Sequence, residues 1–255
     1  MTTQRIAPDD RDEEHTIDLS SPTLGAIRRT TAVDTVRARI ALAVELGMLA
    51  AGQRLPPPEE TAVAFDVSAM TVRRAYRTLS EEGVLVRRRG NAGGTFIADA
   101  PPRGGAADAS TVAAYRADAD RVHALIDQRA ALEAGLASVA AVTRSDADIA
   151  RLGELTERMR TVPDWAGYRS ADTAFHERLV AAAGLPAASE LHHRISHELY
   201  AYFIPYRIDY LRSSNEEHAR LIAALTARDA GAASRLAFDH VADLHGSMYV
   251  GLGTH

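Results

Sequence analysis

The sequence predicts a mostly α-helical protein, in which a small N-terminal helical domain ending in one β-hairpin is followed by an antiparallel bundle of helices. Three observations lead to this prediction. Aromatic residues make up only 5% of the chain while alanine is abundant, which favours packed helices over a β-sandwich. Apolar residues recur with helical spacing through most of residues 111–250. Strand-like runs occur only on either side of a glycine-rich basic segment at residues 87–94.

The net charge of −5 is unevenly distributed along the 255 residues. Residues 21–100 hold eleven arginines and eight acidic residues. Residues 1–20 hold two arginines and six acidic residues, and residues 101–255 hold 16 arginines and 20 acidic residues. The excess of positive charge is therefore confined to one segment of an otherwise acidic chain. Such a segment is a candidate surface for a polyanion such as DNA.

The residue types and patterns that the chain lacks narrow its function. It contains no cysteine, which excludes disulfides, thiolate metal sites and a cysteine nucleophile. Its first residues are acidic and lack the basic start and apolar core of a secretory signal, and no apolar run is long enough to span a membrane. We therefore expect a cytoplasmic protein without a membrane partner.

Composition divides the chain into four predicted segments. Residues 1–22 are acidic and aperiodic, which predicts a disordered tail. Residues 23–99 form the basic N-terminal domain, and residues 100–110 have the proline, glycine and alanine content of a linker. Residues 111–250 form the predicted helical bundle.

The N-terminal domain is predicted to contain three helices and a hairpin. Prolines 56–58 fix an extended entry into the second helix, and Ser68 has the position of a side-chain cap for the third. The order of helix, helix-turn-helix and hairpin is that of a winged helix-turn-helix. The predicted elements are a first helix that begins at Thr31, a second at 59–65, a third at 69–82, and strands at 84–86 and 95–97.

Basic side chains follow the outer face of the third predicted helix and the hairpin. A helix with outward arginines fits the major groove of DNA, where a guanidinium pairs with a guanine edge or a phosphate. A basic hairpin with glycines at its tip can approach the adjacent backbone. The alternative is that both basic runs are merely solvated faces. The candidate DNA-binding residues are Ser68, Met70, Thr71, Arg73, Arg74, Arg77, Arg88, Arg89 and Gly90.

The N-terminal domain resembles the winged helix-turn-helix of GntR regulators. The matching motifs are Val36-Arg37-x-x-Ile40, Gly52-x-x-Leu55-Pro56, and Val67-Ser68-x-x-Thr71-Val72-Arg73-x-Ala75 with Leu79 and Glu82-Gly83. The resemblance implies a homodimer that binds a palindromic operator on double-stranded DNA, usually as a repressor released by a metabolite. Two arginines that this family often uses against DNA are absent, because the chain has Pro58-Glu59 and Ala69 at those positions.

The C-terminal bundle is predicted from periodic segments with polar residues at their starts. Ser145 and Ser214 both have the pattern of an N-cap, and Glu217 follows Ser214 with the spacing of a capping box. The predicted helices cover residues 111–142, 146–160, 165–183, 187–209, 215–228 and 230–250.

Four side chains of the bundle form a candidate metal site. Asp172 and His176 are four residues apart, so one helix face presents both. His218 and His240 lie on two later helices that an antiparallel bundle can bring to the same interior. Three imidazoles and one carboxylate suit a borderline divalent cation. The alternative is that these side chains are surface or hydrogen-bonded core residues, since the chain has ten histidines.

The same residues resemble the FCD effector domain that follows the winged helix in the FadR subfamily of GntR regulators. The matching pattern is Asp172-x-x-x-His176, then Glu217-His218-x-x-Leu221-Ile222-x-Ala224-Leu225, then a distal His240. The resemblance implies that the four matching residues hold zinc, nickel or manganese, and that a carboxylate effector completes the site.

Arg129 matches an arginine on the first helix of that domain, and the resemblance assigns it to an anionic effector. Arginine suits this role because it can hold a carboxylate with two parallel hydrogen bonds. The alternative for Arg129 is a surface ion pair with Glu133. Four further histidines are predicted to be structural or surface residues: His192, His193 and His197, which no acid or separate helix signature accompanies, and His245, which would point off the face of His240.

Two other functions compete with an effector-controlled regulator. In the first, the metal ion itself is the signal. In the second, the chain is a helical metallohydrolase in which Glu177 or Glu217 acts as general base. The His-Asp dipeptide typical of helical phosphohydrolases is absent, since Asp239 precedes His240, and such an enzyme has no use for a DNA-binding domain.

Overall fold

The computed structural model of the chain describes residues 31–90, 93–102, 119–205 and 208–247. The predicted disordered tail lies outside these residues. So do most of the predicted linker and residues 111–118 of the first predicted bundle helix.

The regular secondary structure of the described residues consists of helices and one β-hairpin, as the sequence predicts. The elements are α1 (Ala32–Glu45), α2 (Pro58–Phe65), α3 (Ala69–Glu81), β1 (Leu85–Arg88), β2 (Gly94–Ile97), α4 (Ala119–Thr143), α5 (Asp146–Thr161), α6 (Trp165–Ala181), α7 (Pro186–Tyr200), α8 (Ile208–Ser213), α9 (Asn215–Thr226), α10 (Ala230–Ala242) and α11 (Leu244–Ser247).

The N-terminal domain packs α1, α2, α3 and the hairpin around one apolar core. The inward face of α3 contributes buried Val72, Ala75 and Leu79, which follow the helical period. The hairpin is antiparallel, with Leu85 opposite Ile97. Because both of these side chains are buried, the hairpin is anchored at its base while its basic end remains exposed.

A local hydrogen bond determines where α3 begins. Ser68 has an extended backbone, and its Oγ accepts a hydrogen bond from the backbone N–H of Thr71 at 3.1 Å. The first backbone N–H groups of a helix have no partner within it, so this cap satisfies one of them. The turn between α2 and α3 includes Asp66 in the left-handed conformation, at φ 52°.

The apolar core of the N-terminal domain continues into the helical domain. Trp165, at the start of α6, lies against Phe65 of α2 with ring centroids 5.1 Å apart, and its ring centroid is 6.2 Å from that of Phe203. Trp165 is fully buried. We call this contact region, together with the cavity beside it, the seam between the two domains.

The helical domain has its own core, built from α4, α5, α6, α9 and α10. Ser145 caps α5 in a reciprocal capping box, in which Asp148 accepts hydrogen bonds from both the backbone N–H and the hydroxyl of Ser145. Large buried side chains such as Phe175 and Met159 fill the interior of this core. No helix in the described part of the chain is long and apolar enough to cross a membrane.

Three predictions about the elements were wrong. The helix predicted at 187–209 ends at Tyr200, and it could not have continued to 209, because Pro205 has no N–H and disfavours a helical conformation in the residue before it. The helix predicted at 230–250 ends at Ala242, and a short helix follows from Leu244. Ser214 stands before α9, but its side chain makes no capping hydrogen bond, so the predicted capping box is absent.

Candidate DNA interface and candidate metal centre

The outer face of α3 is exposed and basic. Arg73, Arg74 and Arg77 are exposed, Met70 is about half exposed, and the capping pair of Ser68 and Thr71 stands at the helix N-terminus. This N-terminal end is where a recognition helix meets the bases. The predicted residues of α3 therefore lie on a single surface.

The hairpin adds further basic side chains. Arg88 and Arg89 are exposed, and Gly90 has a φ of 104°, a conformation that favours glycine at the start of the tip. The Arg88 guanidinium lies 4.5 Å from the centroid of the Phe96 ring and 3.9 Å from Asp99. Residues 91 and 92 of the tip lie outside the described part of the chain.

One feature of the α3 surface is not evident from the motif. Arg73 forms an ion pair with Glu59 of α2, and both side chains are at least half exposed. Glu59 lies in the segment where the resemblance expects an arginine. Glu59, which stands where the family often has an arginine, therefore pairs with Arg73, the arginine that matches the family motif.

In the helical domain, the four predicted metal ligands meet although they come from three helices. One donor atom each from Asp172, His176, His218 and His240 lies within 4.8 Å of the others. The Asp172 carboxylate lies 3.7 Å from Nε2 of His176 and 3.5 Å from Nε2 of His218. The His240 ring centroid is 5.2 Å from that of His176 and 4.5 Å from that of His218.

Each imidazole of this histidine cluster is held by an acceptor outside it. Glu133 accepts from Nδ1 of His176 at 2.5 Å, and Glu217 accepts from Nδ1 of His240 at 2.6 Å. The side-chain oxygen of Asn215 lies 3.3 Å from Nδ1 of His218. Sequence analysis did not assign this role to any of the three acceptors, Glu133, Asn215 and Glu217.

This arrangement fixes the tautomer of the histidines. An imidazole that donates its Nδ1 proton presents the lone pair of Nε2, which is the form that binds a metal ion. Nε2 of His218 is buried and has no hydrogen-bond partner within the described residues. The donor set therefore fits a divalent cation, with three imidazole nitrogens and one carboxylate oxygen within 4.8 Å of one another.

At His176 burial lowers the pKa, but the Glu133 and Asp172 carboxylates raise it above its usual value; at His218 and Asp172 the shifts favour the protonation states that ligation requires. Burial and the neighbouring His240 lower the pKa of His218 well below its usual value. Burial alone would raise the pKa of Asp172, but the three histidines around it lower it. A neutral imidazole beside an ionised carboxylate is the form that ligation requires.

The Glu133 carboxylate joins several buried groups. It is fully buried, and it accepts hydrogen bonds from His176, from Arg129 at 3.1 Å and from His192 at 2.7 Å. Burial opposes the ionisation of Glu133, but the charges of His176 and Arg129 hold its pKa well below the usual range. The expected pair of Arg129 and Glu133 exists, but it is buried rather than on the surface.

Arg129 also reaches the histidine cluster through a tyrosine. Its Nη1 donates to the hydroxyl of Tyr200 at 2.9 Å, and that hydroxyl lies 3.4 Å from the Asp172 carboxylate. Tyr200 was not singled out in the sequence, because it lies 71 positions from Arg129 and belongs to no recognisable spacing. Only the packing of α4, α6 and α7 brings the three residues together.

Four other histidines have acidic partners elsewhere in the chain, which their local sequence did not indicate. His192 is buried against Glu133, His193 and His197 are exposed and contact Glu177 and Asp66, and His245 contacts Asp127. None of them belongs to the four-residue cluster. Their assignment to structural or surface positions stays a prediction.

A winged helix-turn-helix with an exposed basic third helix, joined to a helical domain with a buried polar cluster, defines a DNA-binding transcription regulator. Residues 32–97 match the family model of the bacterial regulatory proteins, gntR family, and residues 124–243 match that of the FCD domain. The chain belongs to the GntR family of regulators and carries an FCD effector domain. Regulators of this family are not enzymes, so the metallohydrolase alternative is wrong.

The chain is similar to several curated regulators and solved structures. The chain is 29% identical over 84% of its length to the "Uncharacterized HTH-type transcriptional regulator YcbG" of Bacillus subtilis, covering 89% of that protein. It is 27% identical over 79% of its length to the HTH-type transcriptional regulator LutR of the same organism, covering 94% of it. A solved Streptococcus agalactiae GntR structure aligns with 85% of the chain and all of its own, at 24% identity and a TM-score of 0.44.

Proposed function

We propose that the protein is a homodimeric repressor whose affinity for a palindromic operator is controlled by a small carboxylate effector, bound beside a divalent cation in the helical domain. The observation that carries this proposal is the histidine cluster with its three outer acceptors. A buried imidazole needs a partner for each nitrogen, and here every Nδ1 has one, while one donor atom from each of the four side chains lies within 4.8 Å of the others.

The proposed cation would be held by Asp172, His176, His218 and His240, and it would supply a positive charge that attracts an anionic effector. Zinc, nickel and manganese are the candidates. Arg129 supports the carboxylate class of effector, because its buried guanidinium faces Tyr200 and the Asp172 side of the cluster.

The DNA side of the proposal rests on the exposed arginines of α3 and the hairpin. A single small module makes too few contacts for physiological affinity, whereas two copies can bind the two halves of a palindrome. Light scattering at micromolar concentration should therefore report a dimer. A monomer that binds its operator at full affinity would contradict this part of the proposal.

Metal analysis of matched variants tests the cation site. We expect purified protein to hold one cation per chain, and His218→Ala and His240→Ala to lose it together with thermal stability. His193→Ala is the control, because its exposed side chain pairs with Glu177 outside the cluster, and it should keep the full metal content. Variants of His218 and His240 that retain a full equivalent of metal would refute the site.

A second measurement separates an organic effector from a metal signal. Operator affinity is compared after a divalent metal is added to chelator-treated protein, and after carboxylic acids are added to metal-loaded protein. We expect only a carboxylic acid to weaken operator binding of the metal-loaded protein. A change that follows the metal alone would favour the metal-sensing alternative.

A further inference from the structure

The seam between the two domains contains a cavity of about 360 Å³. The end of α2 forms one wall, from Val63 to Asp66, while α6 and α7 form the other. Because α2 packs against the recognition helix α3, a molecule in this cavity would contact the DNA-binding domain directly. The cavity also reaches His176, so it approaches the histidine cluster from the side of the seam.

Arg169 lines this cavity and carries a buried charge that no described carboxylate pairs with directly. Its side chain is only 7% exposed, and its Nε has no hydrogen-bond partner among the described residues. The guanidinium donates to Thr173 and stacks on the Tyr200 ring, but forms no ion pair with any described carboxylate. Stacking stabilises a cation only in part, so a buried arginine without a counter-ion is energetically costly.

Arg129 provides a comparison within the same structure. It is equally buried, but Glu133 accepts its hydrogen bond at 3.1 Å. The two acidic residues on the cavity wall form no ion pair with Arg169, because each of them pairs with a histidine. Asp66 pairs with His197 at 2.7 Å, and Glu177 pairs with His193 at 3.3 Å.

The rest of the lining indicates the chemical class of a ligand. Val63, Phe65 and Ala201 give the cavity an apolar wall. His192 also lines the cavity and is buried, and its Nδ1 has no partner among the described residues. A ligand that matches these groups has one negative charge for Arg169 and an apolar part for the α2 wall.

We propose that the seam cavity binds a small organic carboxylate through Arg169, and that the bound anion changes operator affinity by altering the contact between α2 and the helical domain. Binding at this site depends on Arg169 and not on the cation, so it stands apart from the proposed function. The effect on DNA rests on the proposed function.

Hexanoate is a suitable probe, because it combines a carboxylate with an apolar tail and does not absorb where tryptophan emits. Binding to the full chain is measured by calorimetry and by the fluorescence of Trp165, the one tryptophan of the sequence, which packs against Phe65 at the seam. We expect Arg169→Gln to weaken hexanoate binding by about tenfold or more, since the lost contact joins two charges. Hexan-1-ol, which lacks the charge, should bind the wild-type chain equally weakly.

One control separates this site from the cation site. Chelator-treated protein should bind hexanoate as the untreated wild type does. If chelation abolishes hexanoate binding while Arg169→Gln retains it, the anion is held by the cation and the seam proposal is overturned. Inorganic phosphate is tested in parallel, and binding of phosphate through Arg169 without binding of hexanoate would overturn the carboxylate class.

A second pair of variants does not depend on the fold tolerating a change at Arg169. Val63 lines the cavity and is 70% exposed, so charged residues can replace it without disturbing the core. Val63→Glu should weaken hexanoate binding by several-fold through repulsion, whereas Val63→Lys should not. Equal binding by the two variants would overturn the proposed position of the anion.

Operator titrations then test the coupling to DNA. Hexanoate should change the operator affinity of the wild-type chain and leave that of Arg169→Gln unchanged. Binding of hexanoate with no change in operator affinity would overturn the regulatory part of the proposal. Loss of metal from His218→Ala is measured separately, so a failure of the cation site can be told from a failure of the seam site.

Discussion

The DNA-binding face and the histidine cluster use polar side chains in opposite ways. On α3, Arg74 and Arg77 are exposed, so each can be removed without leaving a buried group unsatisfied. In the cluster, His176 and His218 are buried and are hydrogen-bonded to side chains that are themselves buried. Side chains used for function can therefore be changed without loss of stability in the first region but not in the second.

The largest effect is expected at Glu133. Glu133→Ala removes the acceptor of His176, His192 and Arg129, and leaves an arginine buried without its counter-ion. We expect the free energy of unfolding of chelator-treated protein to fall by about 3–5 kcal/mol, measured by urea denaturation.

An exposed ion pair provides the control for this prediction. Glu154 contacts Arg151 at 2.8 Å with both side chains exposed, so Glu154→Ala should cost less than about 1 kcal/mol. A similar loss in the two variants would contradict the contrast between the buried and exposed regions.

Arg73 tests the other side of the comparison. Arg73→Ala should weaken operator binding by roughly 1–3 kcal/mol while leaving the melting temperature unchanged, because the side chain is exposed and its proposed role is to read a base. Binding to operator and to random DNA is measured by fluorescence anisotropy. Equal loss on both DNAs would remove the base-reading role.

Two related variants sharpen this result. Arg88→Ala, in the hairpin, should weaken binding to all sequences alike, as expected for a phosphate contact. Glu59→Gln frees Arg73 from its ion pair and should strengthen DNA binding, since DNA no longer competes with a carboxylate. Weaker binding by Glu59→Gln would show that the pair orients Arg73 for DNA.

A pH dependence is expected from Asp148, which lies in the capping box of α5. Burial would raise the pKa of Asp148, but hydrogen bonds from Ser145 and the charge of Arg178 lower it below its ordinary value. A carboxyl whose pKa is lower in the folded state stabilises the protein above its unfolded pKa. That contribution is lost as the pH falls through the folded pKa.

Asp148→Asn isolates this contribution. At pH 7 we expect the substitution to lower the free energy of unfolding by about 1.5 kcal/mol, because hydrogen bonds to a charged acceptor become hydrogen bonds to a neutral one. The difference from the wild type should shrink as the pH falls below 3.8, the ordinary aspartate value. The difference in stability is measured from the midpoints of urea denaturation between pH 7 and pH 3. A difference that stays constant over this range would contradict the stabilising role of the Asp148 charge.

The smallest effect is expected at the cap of α3. Ser68→Ala removes the oxygen that accepts from the Thr71 N–H and should cost about 1 kcal/mol of stability. Ser68→Asp keeps an acceptor at that position and should retain stability by thermal denaturation. Equal melting temperatures for the alanine and aspartate variants would show that the cap contributes little.

Local sequence patterns predicted much of the fold and part of the candidate site. The boundaries of α3 followed from Ser68 and from the helical period of its apolar residues. The spacing of Asp172 and His176 placed both on one helix face. One long helix was predicted at 187–209, but the structure has a break after Tyr200. Pro205 already indicates in the sequence that a helix cannot run through this segment.

Residues far apart in sequence could not be paired in the same way. Glu133 and His176 are separated by 43 positions, and Glu133 and His192 by 59. The sequence pattern suggested a surface role for Glu133 and gave no partner for His192. Nothing local marks Arg169 as a buried cation, because its surroundings come from α7 and from Phe203.

By itself, the sequence determined the helical architecture, the family motifs and the residue types available for DNA and metal binding. These follow from the helical period, from capping chemistry and from the restrictions that proline imposes, which all act within a few residues. Only the tertiary structure decided which acceptor orients each imidazole, which buried arginine has a counter-ion, and that Trp165 joins the two domains. Packing decides these features because contacts between distant segments depend on how whole helices fit together.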